Sequence, residues 1–226
     1  MAKIIVQNYY NDQMETYFRE ENEPMPYNEN GSMLVREFRG SSDSNILWTT
    51  RAAMESWNGQ RALWGSPINI GYAFKRPWEG GHSNQSQHYA GTAFDVAQGW
   101  TNEQRAALRA SALASGLWVY VEPVSISPTW VHLDRRELPP ACLSGGYPLL
   151  QQGAVSVYVL ILQDGLNVLG FGTGGLDGSF GDATRRSVIE FQANNGLPAD
   201  GIVGCGTWTA LQAQVVGGGR GGVALD

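Results

Sequence analysis

A short motif occurs twice near the C-terminal end and constrains that region more than any other feature. Asp177-Gly178-x-x-Gly181-x-x-Thr184 returns 23 residues later as Asp200-Gly201-x-x-Gly204-x-x-Thr207. Each copy reads as a glycine turn followed by a helix start, because apolar residues then recur at helical spacing. After the first copy Thr184, Val188 and Phe191 share a face, and after the second Thr207 and Leu211 do so. Upstream, Val155, Val159, Leu162, Leu166 and Leu169 also fall on one helical face, although AVSVYVLIL is rich in β-formers. Periodicity over five positions outweighs that propensity, so three helices are expected here.

Charge separates this region from the rest. Of 15 basic and 21 acidic residues, residues 143–226 hold only 3 and 6. The change falls at ELPPACLSGGYP (137–148), whose paired prolines and Ser-Gly-Gly mark a linker. The 226 residues are therefore read as residues 1–142, residues 143–214, and a flexible Gly-rich tail over 215–226. A hydrophobic content of 42% supports real cores, and 29 Gly with 8 Trp suggest many turns and aromatic surface for a ligand. A net charge of −6 argues against nucleic acid as a partner. No apolar run reaches the length of a membrane span, and the start MAKIIVQNYYNDQ lacks a secretory signal's apolar core. Cys142 and Cys205 could form one bridge or remain two inert thiols. A monomer is expected.

LQDGLNVLGF, DGSFGDATRRSVIEFQANNGL and DGIVGCGTWTAL together resemble the small three-helix peptidoglycan-binding domain appended to many cell-wall hydrolases. The resemblance covers roughly residues 145–214 and implies peptidoglycan as a partner. Its Gly, Thr and aliphatic positions are read as building the fold rather than touching glycan.

The larger N-terminal region contains all three histidines, His82, His88 and His132. Two histidines and a carboxylate drawn from separate elements suit a catalytic zinc, which keeps three protein ligands and an open position. His88 and Asp95 are seven apart and do not share a helix face, so they are expected to converge from a loop and the strand AFDVA. WVHLD (130–134) alternates as a strand, with His132 and Asp134 on one face. Between them, Thr101-Asn-Glu-Gln104 is a capping box that opens an Ala/Leu-rich helix ending at Gly116. LWVYVE (117–122) and WVHLD then read as a hairpin with a long connection, which gives an α+β domain with an antiparallel sheet.

Ser86-Gln-His88-Tyr-Ala-Gly91-Thr-Ala93-Phe-Asp95 with the later VHLD resembles the zinc D-Ala-D-Ala carboxypeptidase family, whose fold is related to the hedgehog signalling domain. The resemblance spans roughly residues 33–136. It implies Zn2+ held by His88, Asp95 and His132, with Ser86 and Gly91 shaping the loop. It also implies a base, but Thr129 and Trp130 stand where many members carry a Glu or a second His. Asp134 is narrowly preferred as that base, its alternative being support of a ligand histidine or pairing with Arg135 or Arg136; Glu122 is the other candidate. Members also show Gly-Tyr-Arg upstream, where this chain has Gly71-Tyr72-Ala73, so Arg76 is expected to supply the guanidinium, with Lys75 as fallback. His82 is read as a mobile surface histidine. The resemblances together imply a zinc-dependent stem-peptide hydrolase at the cell wall, outside the cell. A D-Ala-D-Ala carboxypeptidase is the first expectation; an endopeptidase of phage-lysin type and a non-catalytic wall-binding module are the alternatives.

Overall fold

The computed structural model describes residues 1–28, 30–141 and 146–216. The expected junction at 142/143, Cys142 and the tail from residue 217 lie outside the described residues. In chain order the elements are β1 (Ala2–Asn8), β2 (Gln13–Arg19), α1 (Val35–Arg39), β3 (Ile46–Thr50), α2 (Arg51–Trp64) and β4 (Ile70–Tyr72). A 3-10 turn at Pro77–Glu79 precedes β5 (Ala93–Val96), α3 (Asn102–Ser115), β6 (Tyr120–Val121) and β7 (Val131–Asp134). The helices α4 (Val157–Val168), α5 (Asp182–Asn194) and α6 (Cys205–Val215) complete the chain.

Two sheets form the N-terminal region. β4-β5-β7-β6 is antiparallel throughout, as expected, and its register sets Asp95 directly opposite His132 and Ala93 opposite Asp134. The second sheet, β2-β1-β3, was not foreseen and is mixed, with β1 antiparallel to β2 and parallel to β3. Ile4, Ile5 and Val6 are buried in succession, which suits a central strand covered on both faces. α3 starts and stops where expected. Thr101 Oγ1 accepts from Gln104 N–H at 3.2 Å, Gln104 Oε1 accepts from Thr101 N–H at 3.0 Å, and Gly116 closes the helix in the left-handed region. β6 is shorter than LWVYVE predicts. Leu117 and Trp118 turn inward against α2 instead, where Trp118 Nε1 donates to Gln60 Oε1 at 3.2 Å and Leu117 C=O accepts from Ser56.

The three C-terminal helices explain the repeat. Gln163 on α4 donates to Asp177 Oδ1 (2.7 Å), Ser179 C=O (3.2 Å) and Thr184 Oγ1 (3.1 Å), and its own oxygen accepts from Asp177 and Gly178 N–H. Gln192 on α5 does the same with Asp200 (3.0 Å), Ile202 C=O (2.9 Å) and Thr207 (3.1 Å), and accepts from Gly201 N–H. Gly178 and Gly201 have φ of +72° and +75°, so side chains there would be strained. The repeat is thus a buried glutamine stapling a left-handed turn to the next helix.

α4 is buried on nearly every side, from Val157 to Asn167. A helix that is apolar all round must be covered all round. α5 and α6 cover one side, and β3 with the Pro77–Glu79 turn covers the other, so the two regions share one continuous core. The expected aromatic surface is mostly absent. Trp48, Trp57 and Trp208 are fully buried, and Trp78 and Trp118 nearly so. Cys205 opens α6 and is disulfide-bonded.

Candidate metal centre

β5 and β7 bring the three expected ligands together. Asp95 and His132 are cross-strand partners on one face, where paired side chains lie close enough to touch. His88 arrives from the preceding loop, held by Gly91, whose φ is +68° and where a Cβ would stand 2.0 Å from Trp48 C=O. Each of His88, Asp95 and His132 offers a ligand atom within 4.8 Å of the others.

The hydrogen-bond chemistry tests whether a metal fits. His88 Nδ1 lies 3.1 Å from Ala73 C=O, which can only accept, so Nδ1 carries the proton. The neutral ring then turns the lone pair of Nε2 inward; Nε2 is buried without a hydrogen-bond partner and lies 3.4 Å from Asp95 Oδ1. His132 Nε2 faces Asp134 Oδ2 at 3.3 Å, which leaves Nδ1 only 2.7 Å from Asp95 Oδ1. Two acceptors that close need a positive charge between them, either a proton or a cation. The protonated alternative leaves its mark. Burial opposes charge on His132, but its bonds to Asp134 and Asp95 win and push it up to about 9. Burial would likewise raise Asp95, yet the His132 bond and the nearness of His88 hold it well below the usual carboxylate range. Outer partners that fix each histidine's tautomer are what metal-binding histidines require. Two imidazole nitrogens and a carboxylate are donors that suit zinc.

The cluster opens into a cleft of about 820 Å³. Glu122 lines it, and its backbone N–H pairs with His132 C=O at 3.0 Å. Among the described residues nothing bonds the Glu122 carboxylate. Asp134 sits differently from the base expected of it. It is fully buried and outside the cleft lining, Arg136 Nε grips Oδ1 at 2.7 Å while Nη2 holds Oδ2, and Oδ2 also faces His132. Its geometry is that of a support for the His132 ring. Arg76 is not brought to the cleft either. Its guanidinium is buried between Trp48 and Trp78 and forks onto Asp164 of α4, with Nε–Oδ2 at 2.9 Å.

His82 corrects the sequence reading in the other direction. Its ring lies inside the cleft, 4.3 Å from the His88 ring and 4.1 Å from that of Tyr72. Buried Tyr89 pins its backbone, its hydroxyl accepting from His82 N–H (3.2 Å) and donating to His82 C=O (3.1 Å). Burial, then the neighbouring His88, pushes His82 down to about 4. Tyr72 lines the same wall, and its buried hydroxyl has no partner among the described residues. The signal that could have flagged His82 was Tyr89, an aromatic inside the metal loop able to clamp the segment before it.

Comparison with known proteins bears on the C-terminal region. Residues 157–211 match the family model for a peptidoglycan binding domain. An uncharacterised protein in the bpoA1 3' region of Kitasatospora aureofaciens is 41% identical over 80 residues, covering 33% of this chain and 68% of that protein. The spore cortex-lytic enzyme of Bacillus cereus is 42% identical over 59 residues, 26% of this chain, and the chain spans only 23% of that enzyme. Among solved structures, a peptidoglycan-binding protein from Clostridioides difficile aligns at 35% identity over 31% of this chain and 44% of its own, with a TM-score of 0.30. The SleB N-terminal domain aligns at 39% identity over 30% of this chain and 92% of its own, with a TM-score of 0.29. Among the described residues no helix is long and apolar enough to cross a membrane. The chain belongs to the same family as the Kitasatospora protein, and it carries a peptidoglycan-binding domain that associates it with the cell wall.

Proposed function

We propose that the protein is a zinc-dependent hydrolase of peptidoglycan stem peptides, acting at the wall outside the cell. The observation that carries this reading is the convergence of two histidine nitrogens, His88 Nε2 and His132 Nδ1, on Asp95 Oδ1 at 3.4 and 2.7 Å. His88, Asp95 and His132 would hold the ion, which supplies polarisation of the scissile carbonyl and a water acidified towards neutral pH. Glu122, open to the cleft, takes the proton of the attacking water and hands it to the leaving amine. Asp134 holds His132 in the tautomer that keeps Nδ1 free, and Ala73 C=O does the same for His88 Nε2. The peptidoglycan-binding domain supports the substrate, and the name of the Bacillus cereus relative supports lysis of wall material.

The cleft favours an endopeptidase over the D-Ala-D-Ala carboxypeptidase expected first. A carboxypeptidase needs a cation for the substrate's free carboxylate. Among the described residues lining the cleft Arg136 is the one Lys or Arg, and its fork is occupied by Asp134, while Arg76 is committed to Asp164. The fallback Lys75 stands behind the lining at Gly81, near enough for its charge to act on His82. Ser83 and Asn84 instead give the walls neutral polar groups suited to a continuing peptide.

Purified protein loaded with zinc and incubated with cross-linked muropeptides tests this by mass spectrometry. Separation of cross-linked dimers is expected. Loss of one terminal alanine would return the carboxypeptidase. Unchanged muropeptides with zinc bound would establish a non-catalytic wall-binding module, a reading favoured by the engagement of Asp134 and by Thr129 in place of a Glu. E122Q is expected to lower kcat by about 10²–10⁴-fold with zinc affinity unchanged.

A further inference from the structure

The loop that carries His88 is held from the C-terminal side of the chain. Tyr158 on α4 donates its hydroxyl proton to Gln87 Oε1 at 2.9 Å. Tyr147, just before that helix, donates to Ser86 C=O at 2.9 Å, and its backbone N–H donates to Gln85 Oε1 at 2.9 Å. Gln87 Nε2 in turn reaches Gly146 C=O at 3.4 Å. Three consecutive loop residues, Gln85, Ser86 and Gln87, are therefore gripped immediately before the metal ligand. Both tyrosines are buried, at 0% and 2% exposure, so water cannot replace these bonds. Inside the loop, Gln87 C=O accepts from Ala90 and Thr92 N–H at 3.1 Å each, so a displaced Gln87 would carry the turn around His88 with it. Tyr158 also lies close enough to Asp134 and Arg136, which support His132, for their charges to act on it. Gly146 itself lines the cleft.

We propose that Tyr158 and Tyr147 are positioning residues for the metal loop, so that the peptidoglycan-binding domain is a working part of the metal centre rather than only an anchor. This rests on the zinc reading above. Removing one hydroxyl takes one of the donors from Gln87 Oε1, which still accepts from Thr92 Oγ1 at 3.2 Å, or from Ser86 C=O, which still accepts from Tyr89 N–H at 3.1 Å. Each oxygen stays satisfied, but the loop loses its tie to the C-terminal side and can shift, which spreads the three ligands.

The experiment uses the full chain and zinc alone, with affinity read by competition against a chromophoric chelator and stability by urea unfolding. Y158F and Y147F are each expected to weaken zinc about tenfold while the urea midpoint changes little. D164N, which breaks the seam between the regions away from the loop, is expected to lower the urea midpoint and leave zinc affinity unchanged. Q87N shortens the loop's side of the contact and carries the same test should Y158F not fold. Its loss is expected to be non-additive with that of Y158F, because the two variants share the Tyr158–Gln87 bond, although Q87N also disturbs the contacts to Gly146 and Thr92. Wild-type zinc affinity in Y158F, Y147F and Q87N would overturn the proposal while leaving the zinc reading intact. Equal weakening by D164N would show general loosening and would also overturn it. Failure of the wild-type chain to bind zinc would overturn the zinc reading itself, and this proposal with it.

Discussion

Two aspartates in this protein are gripped by arginine forks in the same way, yet they serve different ends. Asp134 and Arg136 are two residues apart at the end of β7, with side-chain exposures of 0% and 17%. Asp164 and Arg76 are 88 residues apart, on α4 and just before the Pro77–Glu79 turn, with exposures of 2% and 4%. The first pair is local, and its arginine retains a path to water. The second joins the two regions of the chain and has no such path. A buried pair is strongly destabilising to break but adds little over well-packed apolar residues, because desolvation offsets the attraction. The two pairs therefore differ in what they touch: Asp164 joins the two regions, whereas Asp134 also faces His132.

Breaking the long-range pair should have the largest effect on folding. D164N or R76M strands one buried partner and is expected to cost about 3–5 kcal/mol by urea unfolding, whereas the double variant R76M/D164L should recover most of that loss. Recovery would show that the pair specifies how the regions dock rather than supplying net stability. D134N should behave differently, since Arg136 can turn outward. Its main expected effect is on zinc, about 10–100-fold weaker by chelator competition, because His132 loses the carboxylate that fixes its tautomer. If D134N cost as much stability as D164N, the contrast between the pairs would fail. The smallest effect is expected far from both. T101A removes the α3 cap and should cost about 1 kcal/mol with zinc affinity unchanged.

The same contrast explains what could be read from the sequence. The clustering of His88, Asp95 and His132 was legible because Asp95 and His132 lie on adjacent strands and His88 sits in the loop leading into one of them. The α3 caps and the helical repeat were legible because their signals are local. Arg76 was misread because proximity in sequence to the metal motif suggested a site role, while its partner lies far along the chain. Asp134 was ambiguous because alternation places it on the face of His132 without showing that Arg136 takes both of its oxygens. The β1–β3 pairing escaped notice because a parallel ladder with an intervening crossover leaves no local pattern. His82 escaped because glycine neighbours suggest exposure, and only Tyr89 across the loop reverses that.

The burial of α4 on all sides has a consequence for recombining such proteins. A chain divided at its linker is usually treated as two exchangeable modules. Here a cut before α4 would strip cover from β3, part Arg76 from Asp164, and part Gln87 from Tyr158. The excised helices would in turn present the other half of that seam to water. Chimeras that swap only the C-terminal half should therefore express poorly unless residues 76, 87, 147, 158 and 164 travel together. The unit of inheritance in this molecule is the seam, and the linker is merely where the chain crosses it.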